Sequence, residues 1–131
     1  MILPSCPAAA GAALLARDPV MQALGLRLLE SEAGHAAVEL QVQPAHLNAT
    51  GVVHGGVLFT LADSAFAIAA NNEGEARWAA HAAIEFLRPA RAGARLRASA
   101  CRVAPGLFDI AVEDEAGQTI ALMRGRASRA R

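Results

Sequence analysis

One segment limits what this chain can become. Residues 57–72, VLFTLADSAFAIAANN, are apolar almost without a break, and Glu73-Gly74 supplies a stop signal. That is about four turns of helix, apolar on nearly every side, and such a helix has to be surrounded by protein. The run carries Asp63 in its middle and stops short of the roughly 18 uncharged apolar residues that a membrane helix needs. The rest of the chain must therefore build a wrapper around it.

That wrapper reads as strands. Val38, Leu40 and Val42 alternate with Glu39, Gln41 and Gln43, with Leu26 to Glu32 as a hairpin partner turning near Ala33-Gly34. After the helix, Ile84 and Phe86 flank Glu85, and Arg88-Pro89 closes that run. Leu96, Ala98 and Ala100 alternate with Arg95, Arg97 and Ser99. Phe108, Ile110 and Val112 alternate with Asp109 and Glu113, and residues 118–128 make a last strand. Pro105-Gly106 and Ala116-Gly117 are turns at hairpin spacing. A short helix is predicted from Pro19, after Asp18, to Gly25. Residues 44–56, PAHLNATGVVHGG, read as a long irregular loop, which inside a small domain is often functional. The predicted class is α+β: one domain over residues 1–131, with 1–17 an N-terminal extension of helical composition. An antiparallel sheet wraps one central helix.

Composition narrows the function classes. Twelve acidic residues balance twelve arginines, and lysine is absent, so no electrostatic signature points to nucleic acid or to an anionic membrane. Alanine fills 33 of 131 positions, which keeps the helix thin enough for a sheet to approach closely. Cys6 and Cys101 are far apart and form neither a metal spacing nor a C-x-x-C motif, so reduced thiols in a cytoplasmic protein are expected. The N-terminus lacks the basic region of a signal peptide, and Pro4 and Pro7 interrupt its apolar run. His35, His46, His54 and His81 show no paired spacing, so no metal site is expected.

Asp63 is the anomaly. Burying an unpaired carboxylate is costly and raises its pKa. It is either a buried aspartate satisfied by amides or an arginine, or a general base or nucleophile at an apolar pocket. His54-Gly55-Gly56 precedes the helix, where glycines let a ligand approach and free N–H groups favour an oxyanion. The bland alternative is a flexible loop entering a helix. If the helix begins near Gly55, Asp63 lies ~12 Å further along its axis. One chain cannot easily bring both to one small reacting centre; a two-fold partner could. Asn48 is a turn residue or a side-chain donor. Ser64 lacks the surroundings of a hydrolase nucleophile, and a hydroxyl bonded within its own helix is the simpler reading. Arg88, Arg91, Arg95 and Arg97 either meet phosphates or solvate strand faces.

The run His46-Leu47-Asn48, then His54-Gly55-Gly56 through Asp63-Ser64-Ala65-Phe66-Ala67, resembles the hotdog-fold acyl-CoA thioesterases, most closely the phenylacetate-degradation (PaaI-type) branch. Ile84 to Pro89 and Gly93 extend the likeness, which covers about Asp18 to Arg129. The resemblance implies a hotdog fold and a homo-oligomer, a dimer or a homotetramer built as a dimer of dimers. Its active sites would lie at the dimer interface. It further implies that Asp63 is the catalytic carboxylate, that the Gly55 N–H polarises the thioester carbonyl with Asn48 assisting, and that His54 fixes the loop or meets substrate. Gly56, Ser64 and Arg88 are the expected substrate-binding positions. The implied reaction is hydrolysis of an aryl or arylacetyl-CoA, with coenzyme A part of the substrate and no separate cofactor. One departure is visible: some relatives carry a serine or threonine at the start of the strand after the helix, where this chain has Trp78-Ala79-Ala80-His81. Two alternatives stand beside hydrolysis. One is an acyl-CoA-binding hotdog module without turnover, and the other a hotdog acyl-thioester dehydratase.

Overall fold

The computed structural model describes residues 13–129. Helix α1 (Pro19–Leu24) begins where its sequence says it should. Asp18 Oδ1 accepts the N–H groups of Val20 and Met21 at 3.0 Å each, Pro19 takes the first turn, and Gly25 ends the helix at φ 71°. Residues 13–17 are also helical, and the rest of the extension lies outside the described residues.

A hairpin follows, β1 (Arg27–Glu32) and β2 (His35–Gln41), turning at Ala33-Gly34. The central helix α2 covers Gly55–Ala70 and passes through a single 3₁₀ turn to Gly74, at φ 87°. Then come β3 (Arg77–Phe86), β4 (Arg95–Ala104), β5 (Leu107–Glu113) and β6 (Thr119–Arg129). They form one sheet in the order β1-β2-β4-β5-β6-β3, antiparallel at every pairing. Every strand contacts α2, so the sheet curves around it.

The alternating strands point their apolar sides inward as expected. Leu40, Leu96, Phe108, Ile110 and Val112 are fully or almost fully buried against Leu61, Phe66 and Ile68 of the helix. The cover is not complete. Gly56, Phe59, Thr60, Asp63 and Ala67 recur at helical spacing, and none of them is fully buried. Among the described residues α2 therefore keeps one stripe that is not fully covered, and Asp63 lies on it.

β3 departs from the expected pattern. It starts at Arg77, well ahead of the Ile84–Phe86 run, and is mostly exposed on both faces, with Trp78 at 58%. Its first half, Arg77 to Ala83, has too many alanines for a period-two signal. The strand also lies at the sheet edge, where β6 is its only strand partner among the described residues.

Candidate active site

The loop before α2 is firmly built rather than irregular. A 3₁₀ turn covers Pro44–His46, Leu47 bridges Val53, and the His54 N–H donates to the His46 carbonyl at 2.9 Å. His46 is buried, and its Nδ1 accepts the Gln43 N–H at 3.0 Å. Asn48 holds the tip. Its Oδ1 accepts from the Thr50 N–H, the Thr50 hydroxyl and the Val52 N–H. That fills the turn role foreseen for Asn48 and leaves the Nδ2 amide without a partner among the described residues.

His54 caps α2, its Nδ1 accepting the Gly56 N–H at 2.8 Å. Gly56 is needed for that cap, because a Cβ there would stand 3.0 Å from Nδ1. The preceding N–H, that of Gly55, finds no acceptor among the described residues. It is an orphan donor at the positive end of a 16-residue helix. Gly55 lines a pocket of about 300 Å³ with Val52, Leu58, Phe86, Leu87 and Arg88. The Phe86 ring lies 3.5 Å from where a Gly55 Cβ would be, so the glycine leaves only van der Waals clearance. No signal in the sequence marks Phe86 as closing over Gly55. It reads as an ordinary strand residue, and only the fold sets β3 beside the helix start.

Asp63 is two turns further on, ~12 Å by helix rise. It is half-buried, and no hydrogen bond or ion pair reaches its carboxylate among the described residues. Burial pushes its pKa above the ordinary carboxylate value, and the negative charge of Asp18 adds to the shift. The satisfied-aspartate alternative finds no support among the described residues. Ser64, expected against substrate, is 2% exposed, and its hydroxyl donates to the Thr60 carbonyl at 2.7 Å. The Thr60 hydroxyl does the same to Gly56 at 2.8 Å.

Arg88 stands at the pocket wall with one guanidinium N–H on the Thr119 carbonyl at 3.0 Å. Arg97 is committed elsewhere, to Glu30 at 2.8 Å and to Ser99. Among the described residues no three His, Cys, Asp or Glu side chains gather as a metal-binding group, and no helix is long and apolar enough to cross a membrane.

A family model described as the thioesterase superfamily matches residues 50–101, the stretch holding both Gly55 and Asp63. The acyl-coenzyme A thioesterase PaaI of Escherichia coli is 38% identical over 121 residues, 89% of this chain and 86% of that protein. This chain belongs to the PaaI-type thioesterases. The solved structure of the E. coli PaaI protein from the phenylacetic acid degradation operon matches with a TM-score of 0.93 at 36% identity, covering 95% of this chain and 94% of that one. A mutant of the phenylacetic acid degradation protein PaaI from Thermus thermophilus matches with a TM-score of 0.81 at 38% identity, covering 86% and 100%. The six-stranded wrapper around α2 is thus the hotdog fold expected from the sequence.

Proposed function

We propose that this thioesterase hydrolyses acyl-CoA, with aryl or arylacetyl groups as the favoured class, at sites shared between two copies of the chain. The observation that carries this is a pair of groups on α2 with no partner among the described residues: the Gly55 N–H and the Asp63 carboxylate. The name of the E. coli relative supports the substrate class, and its operon supports the arylacetyl group. The helix spacing supports the shared site, because the Gly55 of one copy and the Asp63 of another can face one carbonyl. Edge strand β3, with Trp78 and Phe86 exposed, offers free backbone groups for pairing with its own counterpart.

In this reading the thioester carbonyl oxygen points at the Gly55 N–H, with Asn48 Nδ2 assisting. Asp63 takes a proton from the attacking water, or attacks the carbonyl carbon itself to form an anhydride that water then opens. Negative charge gathers on the carbonyl oxygen, where the helix terminus favours it. Coenzyme A leaves as a thiolate and is protonated. His54 holds the loop by its cap, Gly56 gives that ring room, and Arg88 stands at the rim for the carrier's phosphates.

Thiol release from a panel of aromatic and aliphatic acyl-CoAs tests the reaction: arylacetyl-CoA should be turned over fastest, and no release from any of them would overturn the reading. Gly55→Pro tests the oxyanion donor. Proline is tolerated in the first turn of a helix yet has no N–H, so kcat should fall about 10²-fold with the fold kept. Mixing Gly55→Pro with Asp63→Asn under subunit exchange should restore about a quarter of the wild-type rate, since half the dimers are mixed and each carries one intact site. No recovery after verified exchange would place both groups in one subunit's site. Burial is the main cause of the raised Asp63 pKa, and Asp18→Asn keeps the cap but removes the smaller contribution of the Asp18 charge. The acid limb of kcat/KM should therefore move to lower pH.

A further inference from the structure

The far side of the sheet, away from α2, holds a second constellation of reactive groups. Cys101 on β4 and His35 on β2 are directly opposite in register, next to the inward-facing pair Ala36 and Ala100. Cys101 Sγ lies 3.5 Å from His35 Nδ1, and His35 Nε2 lies 2.7 Å from Glu30 Oε1. Glu30 comes from β1, past a bulge between Leu28 and Glu30. Its other oxygen accepts from Arg97 at 2.8 Å. The imidazole and the guanidinium together hold the Glu30 carboxyl below its ordinary value, so it is ionised. This pattern assigns the tautomer: Nε2–H donates to Glu30, and the Nδ1 lone pair faces the thiol.

A nucleophile, a base within reach of it and a third group that orients the base make an activated nucleophile wherever they occur. Cys101 is exposed, and it lines a groove of about 640 Å³ on the same face. The groove floor is apolar at Ala111 and Leu122, with Ser99 beside the thiol and the acids Glu85 and Glu113 along it. Asp109 and Arg124, also in the groove, neutralise each other through two hydrogen bonds. An uncharged acyl group fits such a surface better than an anionic carrier does.

We propose that Cys101 is a second nucleophilic centre, with His35 as its base and Glu30 as the orienting carboxylate, and that it accepts acyl groups from thioesters by thiol exchange. Sγ attacks the thioester carbonyl carbon while His35 Nδ1 takes the thiol proton. The bond from that carbon to the leaving sulfur breaks, and the departing thiolate receives the proton from His35. The products are S-acyl-Cys101 and one free thiol, with no oxidant or reductant needed. Nothing in the step depends on Asp63 or Gly55, so it stands apart from the hydrolytic site.

The test uses the full chain carrying Cys6→Ser, which leaves Cys101 as its single thiol. The probe is a hexanoyl thioester of N-acetylcysteamine, which contains no coenzyme A. Mass spectrometry should find one acyl group on the Cys101 peptide, removable by neutral hydroxylamine. His35→Gln should slow acylation about 10²-fold without moving the melting temperature, and Glu30→Gln should slow it less. Labelling by iodoacetamide should fall in the same order. Acylation no faster than that of free N-acetylcysteine, or unchanged by His35→Gln, would overturn the proposal. So would rapid alkylation without acylation.

Discussion

Asp63→Asn is expected to lower thiol release from the best acyl-CoA by at least about 10²-fold while leaving the protein as stable as before, or more so, at neutral pH. Both halves follow from one fact, a half-buried carboxylate with no partner among the described residues. Asparagine has the same shape but neither accepts a proton from water nor attacks a carbonyl. For stability the sign runs against the charge. Burial raises the Asp63 pKa above its unfolded value, so the folded chain holds this proton more tightly. Asp63 costs nothing below the ordinary carboxylate pKa of about 4, and stability is lost as pH rises from there through the raised value. The melting temperatures of wild type and Asp63→Asn should therefore coincide in acid and separate upward in pH, the variant becoming the more stable. The rate runs the other way, rising across the same window as Asp63 ionises. Near-normal turnover by the variant would remove Asp63 from the chemistry. A variant that melts lower at neutral pH would show that the carboxylate is held by contacts after all.

The features legible in the sequence are those written in one segment at a time. Asp18-Pro19 and Gly25 bound α1, alternation marks β2, β4 and β5, the Ala116-Gly117 turn sets off β6, and an apolar run interrupted by a carboxylate marks α2 and Asp63. The hidden features need two segments at once. The first half of β3 is invisible because alanine on both faces erases the period. The loop at 44–56 looks irregular because its order comes from the Leu47–Val53 bridge and the His46 carbonyl rather than from propensity. Phe86 over Gly55 requires knowing that β3 ends beside the start of α2. Cys101 and His35 form no motif because they are 66 residues apart in sequence and meet only through the β2–β4 register. A spacing rule finds partners within one helix or strand; it cannot find partners that a sheet order creates.

Gly125→Val should strongly destabilise the fold, costing about 3 kcal/mol and lowering the melting temperature by about 10 °C or more. Gly125 is an interior residue of β6, paired with Phe108 on one side and Ala82 on the other. Glycine inside a strand ordinarily weakens it and marks a close approach. Here the approach is Phe66 of α2: a Cβ at Gly125 would stand 2.6 Å from its Cε2 and 2.8 Å from its Cζ. The ring cannot swing aside, since Phe66 is 1% exposed and packs against Phe108 with centroids 5.5 Å apart. Relief requires moving α2 away from β6, and α2 carries Asp63, so the surviving activity should fall with the stability. Phe66→Ala alone should also destabilise, by about 3 to 5 kcal/mol, because it leaves a cavity. Combined, the two changes should cost less than their sum by about 0.5 to 3 kcal/mol, as the valine enters the space the ring vacates. The check is thermal unfolding of the wild type, both singles and the double at one fixed protein concentration, because association shifts the midpoint. Simple additivity, or a Gly125→Val protein that melts with the wild type, would mean that β6 and α2 are not held by this contact.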